Sequence, residues 1–260
     1  MTGGSGWYRW SQARAVLVIG PDDRQAVDMT TIALVTGANK GLGRETVRRL
    51  AALGWDVFLT ARDEARGRVA AAELDVRFIP LDVTSDESVM AAAQTVHHQV
   101  GRLDVLVNNA GVGAAPAAID ETRAADLQDV FDVNVLGPVR VTNAFLPLLR
   151  AAEHPRVVMV SSTLGSISFS GQPHVLDAVP PQLGYPASKA ALNMITVQYA
   201  RALDGIKVNA VEPGYTATDL TGHRGHQTVA EGADPIVRLA CIGPDGPTAG
   251  FFDQEGTVPW

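Results

Sequence analysis

The chain has 260 residues, of which 46% are hydrophobic and 19% are charged, and this composition is typical of one folded domain with a sizeable core. The formal net charge is −7 and there is no basic tract, which argues against nucleic acid and anionic membranes as partners. The single cysteine, Cys241, excludes an internal disulfide and, with no signal peptide or apolar span apparent, favours a cytoplasmic location.

Apolar runs that are typical of strands alternate with helix-like segments over residues 29–260. This alternation indicates βαβ units around a parallel sheet, so we predict a single α/β domain with a three-layer, doubly wound parallel sheet of the Rossmann type. Residues 1–28 have no such period, and we expect an N-terminal extension outside the core or a start codon assigned upstream of Met29. The predicted strands are Ile32–Thr36, Asp56–Thr60, Val76–Pro80, Val105–Val107, Val157–Val160 and Lys207–Val211, and the predicted helices include Arg44–Leu53, Ser85–Val100, Leu127–Leu149 and Ala187–Leu203.

A glycine-rich loop joins the first predicted strand to the first predicted helix. Glycines allow the backbone to approach a pyrophosphate without Cβ clashes, and a helix N-terminus offers N–H groups and the positive end of the helix dipole. The spacing Gly-x-x-x-Gly-x-Gly differs from the commoner Gly-x-Gly-x-x-Gly. By itself the loop fits either a dinucleotide site or a turn without a ligand. It reads Thr36-Gly37-Ala38-Asn39-Lys40-Gly41-Leu42-Gly43.

Tyr185 and Lys189 lie four residues apart at the start of a predicted helix, which places them on one helical face. A phenol with its ordinary pKa of about 10 is a poor proton donor or acceptor at neutral pH. A nearby ammonium favours the phenolate, so we expect Lys189 to lower the pKa of Tyr185. The pair therefore indicates proton transfer to or from an oxygen atom.

Four more motifs follow the glycine loop in chain order, at strand ends or within a predicted helix. They are Asn108-Asn109-Ala110-Gly111, Asp132-Val133-Asn134, Ser161-Ser162-Thr163-Leu164-Gly165, and Pro213-Gly214 with Thr218.

Together, these motifs resemble the short-chain dehydrogenase/reductase family in its compact single-domain form, from about Ile32 to the C-terminus. The resemblance implies an oxidoreductase that interconverts a carbonyl and a secondary alcohol, with a small-molecule substrate. Its implied catalytic residues are Asn134, Ser162, Tyr185 and Lys189.

The resemblance also implies a role for each of these four residues. Tyr185 would exchange a proton with the substrate oxygen, Lys189 would hold the nicotinamide ribose, and Ser162 would hydrogen-bond the substrate oxygen. Asn134 would link Lys189 to solvent through an ordered water. Each residue also has a structural alternative: Ser162 could satisfy backbone groups at a strand end, Asn134 could bind a neighbouring loop, and Lys189 could be a solvated surface charge.

Two cations at the end of the second strand and in the glycine loop indicate NADP(H). Ala61 takes the place of the acid that selects NAD, Arg62 follows it, and Lys40 lies where relatives that prefer NADP often carry a basic residue. Asp63 could instead pair with Arg62. The predicted cofactor contacts are Gly37, Asn39, Lys40, Gly41, Leu42, Gly43, Arg62, Asp82, Val83, Asn109, Ala110, Gly111, Tyr185, Lys189, Pro213, Gly214 and Thr218.

Two segments are predicted to border the substrate. One is a proline-containing loop near 166–184, in which His174 and Asp177 could contact substrate but are more simply explained as exposed loop residues. The other is a lid near 215–240, which the resemblance to the family implies and whose glycines would permit movement. A homo-oligomer is possible, and the sequence leaves this open.

Two other functions are compatible with parts of the sequence. A sensor or scaffold protein could bind NADP(H) without turnover, although it would not need Ser162, Tyr185 and Lys189. An epimerase or dehydratase of the sugar-nucleotide branch has a different glycine spacing and a longer chain. His223 and His226 are three apart, but no zinc-type pattern surrounds them, so we predict no metal.

Overall fold

The computed structural model describes residues 30–113, 118–173 and 181–260. A seven-stranded sheet with the order β3-β2-β1-β4-β5-β6-β7 forms the middle layer, and every neighbouring pair of strands is parallel. This arrangement confirms the predicted doubly wound α/β fold. Its strands are β1 Ile32–Val35, β2 Asp56–Ala61, β3 Arg77–Pro80, β4 Val105–Asn108, β5 Arg156–Val160, β6 Lys207–Val211 and β7 Phe251–Phe252.

The six predicted strands match the observed ones to within one residue at each end. The seventh strand was not predicted, because two residues are too few to show a period. The predicted helix over Leu127–Leu149 is interrupted by a π-helical turn at Asp132–Leu136. In chain order the helices are α1 Gly41–Ala52, α2 Glu64–Leu74, α3 Asp86–Val100, α4 Ala124–Phe131, α5 Gly137–Arg150, α6 Ile167–Ser170, α7 Gly184–Ala202 and α8 Val229–Ala240.

Alternate residues of the central strands belong to two large hydrophobic cores on opposite faces of the sheet, and Ala210, Phe251 and Val258 form a smaller third cluster. In β1, Leu34 packs in the core beneath α3, α5 and α7, whereas Val35 packs in the core beneath α1, α2 and α8. Burial on both faces explains why the strands are continuous apolar runs. Within the described residues, no helix has the length and apolar character that a membrane span requires.

The helix α8 changes the interpretation of the predicted lid. Residues 229–240 contribute Ile236, Leu239 and Ala240 to the core, where none is more than 1% exposed. Gly232 is a packing position, because a Cβ there would lie 2.3 Å from Thr216 Oγ1. The prediction that the lid extends to residue 240 is therefore wrong.

The loops after β1, β4, β5 and β6 leave the same edge of the sheet, since all four strands are parallel. These loops carry the glycine-rich segment, Asn109, Ser162 and Pro213. Ligands of open α/β sheets bind at this carboxyl edge, where the strand order reverses beside β1.

Replacement of Ile236 by alanine should lower the free energy of unfolding by about 2–5 kcal/mol, because it leaves a cavity between α8 and the sheet. Val69→Ala, on the exposed side of α2, should change it by no more than about 0.5 kcal/mol. Urea denaturation measures both. An Ile236→Ala protein of native stability would contradict the assignment of α8 to the core.

Candidate active site

A cleft of about 700 Å³ opens at the carboxyl edge of the sheet. The glycine loop, the ends of β2, β3 and β4, the start of α7 and the segment after β6 form its walls. Of the predicted cofactor contacts, Gly43 and Gly214 do not line it. The contacts that do are Gly37, Asn39, Lys40, Gly41, Leu42, Arg62, Asp82, Val83, Asn109, Ala110, Gly111, Tyr185, Lys189, Pro213 and Thr218.

The glycine loop presents an uncapped helix N-terminus to the cleft. The N-cap residue of α1, Lys40, makes no side-chain capping bond, whereas Asp63, Ser85 and Thr228 cap α2, α3 and α8. Gly41 has φ +56°, which favours glycine. Unpaired N–H groups and the helix dipole suit an anion such as a phosphate.

Asn109 fastens the glycine loop to the end of β4. Its side-chain amide donates to the carbonyl oxygens of Thr36 at 2.8 Å and Gly37 at 3.2 Å. The Thr36 hydroxyl in turn accepts from the backbone N–H groups of Asn109 and Ala110, each at 3.0 Å. Gly43 packs against this amide, since a Cβ at Gly43 would lie 2.5 Å from Asn109 Nδ2.

Tyr185 and Lys189 face the cleft from the first turns of α7. Lys189 is 4% exposed, and its Nζ donates to the Val160 carbonyl oxygen at 2.8 Å. The same Nζ lies 5.6 Å from the centroid of the Tyr185 ring. An ammonium has three N–H donors, so donors remain for a hydroxyl in the cleft.

The ionisation of the pair differs from the sequence expectation. Burial raises the pKa of Tyr185 above its ordinary value and the Glu212 carboxylate raises it further, while the Ser162 hydroxyl opposes the rise. Burial lowers the pKa of Lys189 to about 8, against the opposing effect of Glu212. The prediction that the pKa of Tyr185 is lowered is therefore wrong. Burial and the Glu212 carboxylate outweigh the Ser162 hydrogen bond, and the phenol is held in its protonated form.

Ser162 follows β5 and has the structural role considered from the sequence, whereas its bond to a substrate oxygen stays a prediction. Its Oγ accepts from the Leu164 N–H at 3.2 Å, which caps the turn Thr163–Gly165. The same hydroxyl hydrogen-bonds the side chain of Tyr185, which works against the rise in the pKa of the phenol. Ser162 itself does not line the cleft, and its hydroxyl reaches the site through Tyr185.

Asn134 lies in the π-helical turn and is completely buried. Its amide exchanges two hydrogen bonds of 2.9 Å with the backbone of Val112 and donates to Ser188 Oγ at 3.1 Å. Its side chain therefore holds the loop after β4, at Val112, against α7, next to Lys189. A direct bond from Asn134 to Lys189 is not part of this arrangement.

Glu212 was missed in the sequence. It follows β6, is 9% exposed, and accepts hydrogen bonds from the backbone N–H groups of Thr163 and Gly214. One feature of the sequence could have indicated it. Glu212 lies between the apolar end of β6 and the Pro213-Gly214 turn, and a carboxylate buried at such a position needs hydrogen bonds to offset its loss of solvation.

At the end of β2, Arg62 lines the cleft and is exposed, and Ala61 precedes it. Asp63 pairs with Arg66 at 3.3 Å and caps α2 through the Arg66 N–H. The predicted alternative that Asp63 pairs with Arg62 is therefore wrong. Among the residues that the structure describes, no carboxylate lies within ion-pair distance of Arg62.

Lys40 lines the same cleft, but its ammonium pairs with Asp219 of the segment after β6. His223 lies 3.0 Å from the same carboxylate. The Lys40 ammonium and His223 hold the pKa of Asp219 below its usual range. Asp82 accepts from the Thr84 N–H and hydroxyl at 2.9 and 2.8 Å, which orients it at the cleft wall.

These residues fit a bound dinucleotide: the uncapped helix and Gly41 suit its phosphates, and the Lys189 ammonium suits a ribose hydroxyl. Over the described ranges, no three His, Cys, Asp or Glu side chains cluster as metal ligands would. His174 and Asp177 lie outside the described residues.

Comparison with known proteins supports this geometry. The model of the short chain dehydrogenase family matches residues 31–228. The chain is 36% identical to short-chain dehydrogenase anuI of Penicillium roqueforti, over 87% of this chain and 95% of that protein. It is 33% identical to (+)-neomenthol dehydrogenase of Arabidopsis thaliana, over 86% and 96% of the two chains.

Among solved structures, NADPH-bound carbonyl reductase from chicken fatty liver superposes with a TM-score of 0.78 at 30% identity, covering 89% of this chain and 99% of that one. The family model spans most of the chain, and the order of its motifs agrees with the arrangement around the cleft. The chain is a member of the short-chain dehydrogenase/reductase family, whose oxidoreductases act on carbonyl and alcohol groups.

Proposed function

We propose that this protein is an NADP(H)-dependent reductase that converts an apolar ketone into a secondary alcohol. The observation that carries the proposal is the desolvated pair of Tyr185 and Lys189, which faces a cleft whose opposite end has an uncapped helix N-terminus. Reduction is the favoured direction because the protein groups keep the Tyr185 phenol protonated, and cellular NADP pools are usually kept reduced.

In the proposed mechanism, Ser162 donates a hydrogen bond to the substrate carbonyl oxygen and stabilises the charge that develops there. Tyr185 gives its phenolic proton to that oxygen as general acid. Lys189 holds the nicotinamide ribose and, with a pKa of about 8, remains largely protonated at neutral pH beside the phenol. NADPH, when bound, supplies the hydride. Asn134 fixes the chain beside Lys189 and, through an ordered water, would connect the lysine to solvent.

The preference for NADP(H) rests on Arg62 and Lys40. Arg62 is a guanidinium without an ion-pair partner in the described chain, placed at the end of β2 where a ribose 2′-phosphate would need it. Lys40 would leave its ion pair with Asp219 and bind the 2′-phosphate instead. Ala61 offers no carboxylate to a 2′-hydroxyl.

Large apolar side chains that are exposed near the catalytic residues support an apolar substrate. Ile167 is 82% exposed and lies five residues after Ser162, and Leu183 is 40% exposed and lies two before Tyr185. Tyr215 follows Gly214, and Leu220 lines the cleft. Leu220 is the one of these four that lines the cleft, and the other three are sequence neighbours of site residues, so the proposal of an apolar substrate places them beside the bound ketone. The (+)-neomenthol dehydrogenase relative points to the same substrate class. The single cysteine remains the basis for proposing a cytoplasmic location.

Tyr185→Phe should lower kcat for ketone reduction by about 10²–10⁴-fold, because it removes the proton donor. The dissociation constant for NADPH should stay within about twofold of the native value. Tyr199→Phe is the matched control, because Tyr199 lies on the same helix with its hydroxyl on Asn143, outside the cleft. Full activity of Tyr185→Phe would exclude the mechanism, and NADPH binding without turnover of any ketone by the native protein would favour the sensor.

Arg62→Ala should reduce the ratio of kcat/KM for NADPH to that for NADH by at least about tenfold, since a charge-assisted hydrogen bond contributes about 1.5–3 kcal/mol. Arg66→Ala removes the neighbouring arginine that pairs with Asp63 and should leave the ratio unchanged. Steady-state kinetics with both cofactors provides the comparison. An unchanged ratio in Arg62→Ala would refute the assigned preference.

Leu183→Asn should raise KM for an apolar cyclic ketone by about tenfold, because it replaces an apolar contact with a polar one. The dissociation constant for NADPH should not change. Leu53→Asn, an exposed leucine just after α1 and distant from the cleft, serves as the control. If Leu183→Asn and native protein have the same KM for every apolar ketone tested, this segment does not contact substrate.

A further inference from the structure

The Glu212 carboxylate connects the two loops between which the proposed reaction takes place. One oxygen accepts from the Thr163 N–H, directly after Ser162, and the other accepts from the Gly214 N–H at 2.6 Å. The Glu212 backbone is fixed in its own right, because its N–H donates to the Phe252 carbonyl oxygen of β7 at 2.7 Å. A buried side chain on a fixed backbone thus sets the separation of the Ser162 and Gly214 loops.

Glu212 is also a buried charge without a cation beside it. Over residues 30–113, 118–173 and 181–260, no lysine, arginine or histidine nitrogen lies within 4 Å of its carboxylate. Two backbone N–H groups are its hydrogen-bond donors, and charge-assisted bonds of this kind are short and strong. A buried, unpaired charge acts over a longer range than a solvated ion pair, because the surroundings screen it weakly.

The groups on which this charge acts are Tyr185 and Lys189. It raises the pKa of both, by disfavouring the phenolate and favouring the ammonium. The other charged groups of the cleft are engaged elsewhere: Lys40 and His223 contact Asp219, and Asp82 binds Thr84. Arg62 lies at the end of β2, next to the adenosine side of the proposed cofactor.

We infer that Glu212 is a positioning residue of the proposed reductase: its buried carboxylate holds the Ser162 and Gly214 loops in register and places a negative charge at the site between them. This inference rests on the proposed function for its consequence, since a protonated Tyr185 is the form that a ketone reductase needs. Glu212→Gln removes the charge together with one of the two hydrogen-bond acceptors, because an amide nitrogen cannot accept from an N–H group, whereas Glu212→Asp keeps the charge, so the two substitutions together distinguish the effect of the charge from that of the anchor.

Glu212→Gln removes the charge and keeps the size of the side chain. The acidic limb of kcat/KM for alcohol oxidation, which requires the Tyr185 phenolate, should move to lower pH by on the order of one unit, because a negative neighbour no longer opposes the phenolate. The ultraviolet phenolate titration of Tyr185, obtained as the difference from the corresponding Tyr185→Phe protein, should move in the same direction. Glu153→Gln makes the same charge change at the opposite edge of the sheet and should move neither curve.

Glu212→Asp keeps the charge but shortens its reach to Thr163 and Gly214. It should leave the phenolate titration within a few tenths of a pH unit of the native curve and lower kcat by roughly tenfold, because the two loops lose their shared anchor. This variant also carries the test if Glu212→Gln does not fold.

A Glu212→Gln curve that coincides with the native curve, or that moves to higher pH, overturns the inference, as does a Glu212→Asp enzyme with native kcat. The phenolate titration does not depend on turnover. A failure of the proposed function would instead be seen as full activity of Tyr185→Phe, so the two failures can be distinguished.

Discussion

Desolvation of the Tyr185–Lys189 pair is the constraint on which the site depends. The start of α7 packs so closely against the end of β5 that Lys189 reaches the Val160 carbonyl oxygen and is almost fully buried. Removing an ammonium from water disfavours its charge, and removing a phenol from water disfavours the phenolate. Burial accordingly lowers the pKa of Lys189 and raises the pKa of Tyr185. The Glu212 charge opposes the change at Lys189 and adds to the change at Tyr185. The result is a protonated phenol beside a lysine with a pKa of about 8.

The parallel sheet turns this local chemistry into a binding site. Because neighbouring strands all run in one direction, the glycine loop, Asn109, Ser162 and Glu212 come to one edge although they are far apart in the chain. Buried amide and hydroxyl groups then fasten the loops to one another, as Asn109 does for the glycine loop. The same edge leaves the α1 N-terminus uncapped, and this is a cost that a bound anion would offset.

Local spacing was sufficient for the fold and for the Tyr185–Lys189 pair, whereas most of the other cleft residues were predicted from the resemblance to the family. Tyr185 and Lys189 four residues apart predict one helical face, and the apolar runs predict β1 to β6 to within a residue. Relations between distant residues were not accessible. The pairing of Lys40 with Asp219 joins positions 179 residues apart, and the role of Glu212 depends on loops that converge only in the folded chain. Helix α8 lies within the segment that the resemblance to the family made a lid with mobile glycines, and only the folded chain shows that Gly232 is a packing position and that the helix is part of the core.

The central claim is that hydride passes between a nicotinamide and a carbonyl carbon beside Tyr185. Mass spectrometry of the alcohol formed from an apolar cyclic ketone and NADPH deuterated at nicotinamide C4 tests this most directly. The account predicts that deuterium appears at the carbinol carbon in native protein, from one face of the cofactor, and at a greatly reduced rate in Tyr185→Phe. Stoichiometric binding of NADPH with no deuterium in any product, across chemically varied ketones, would contradict it.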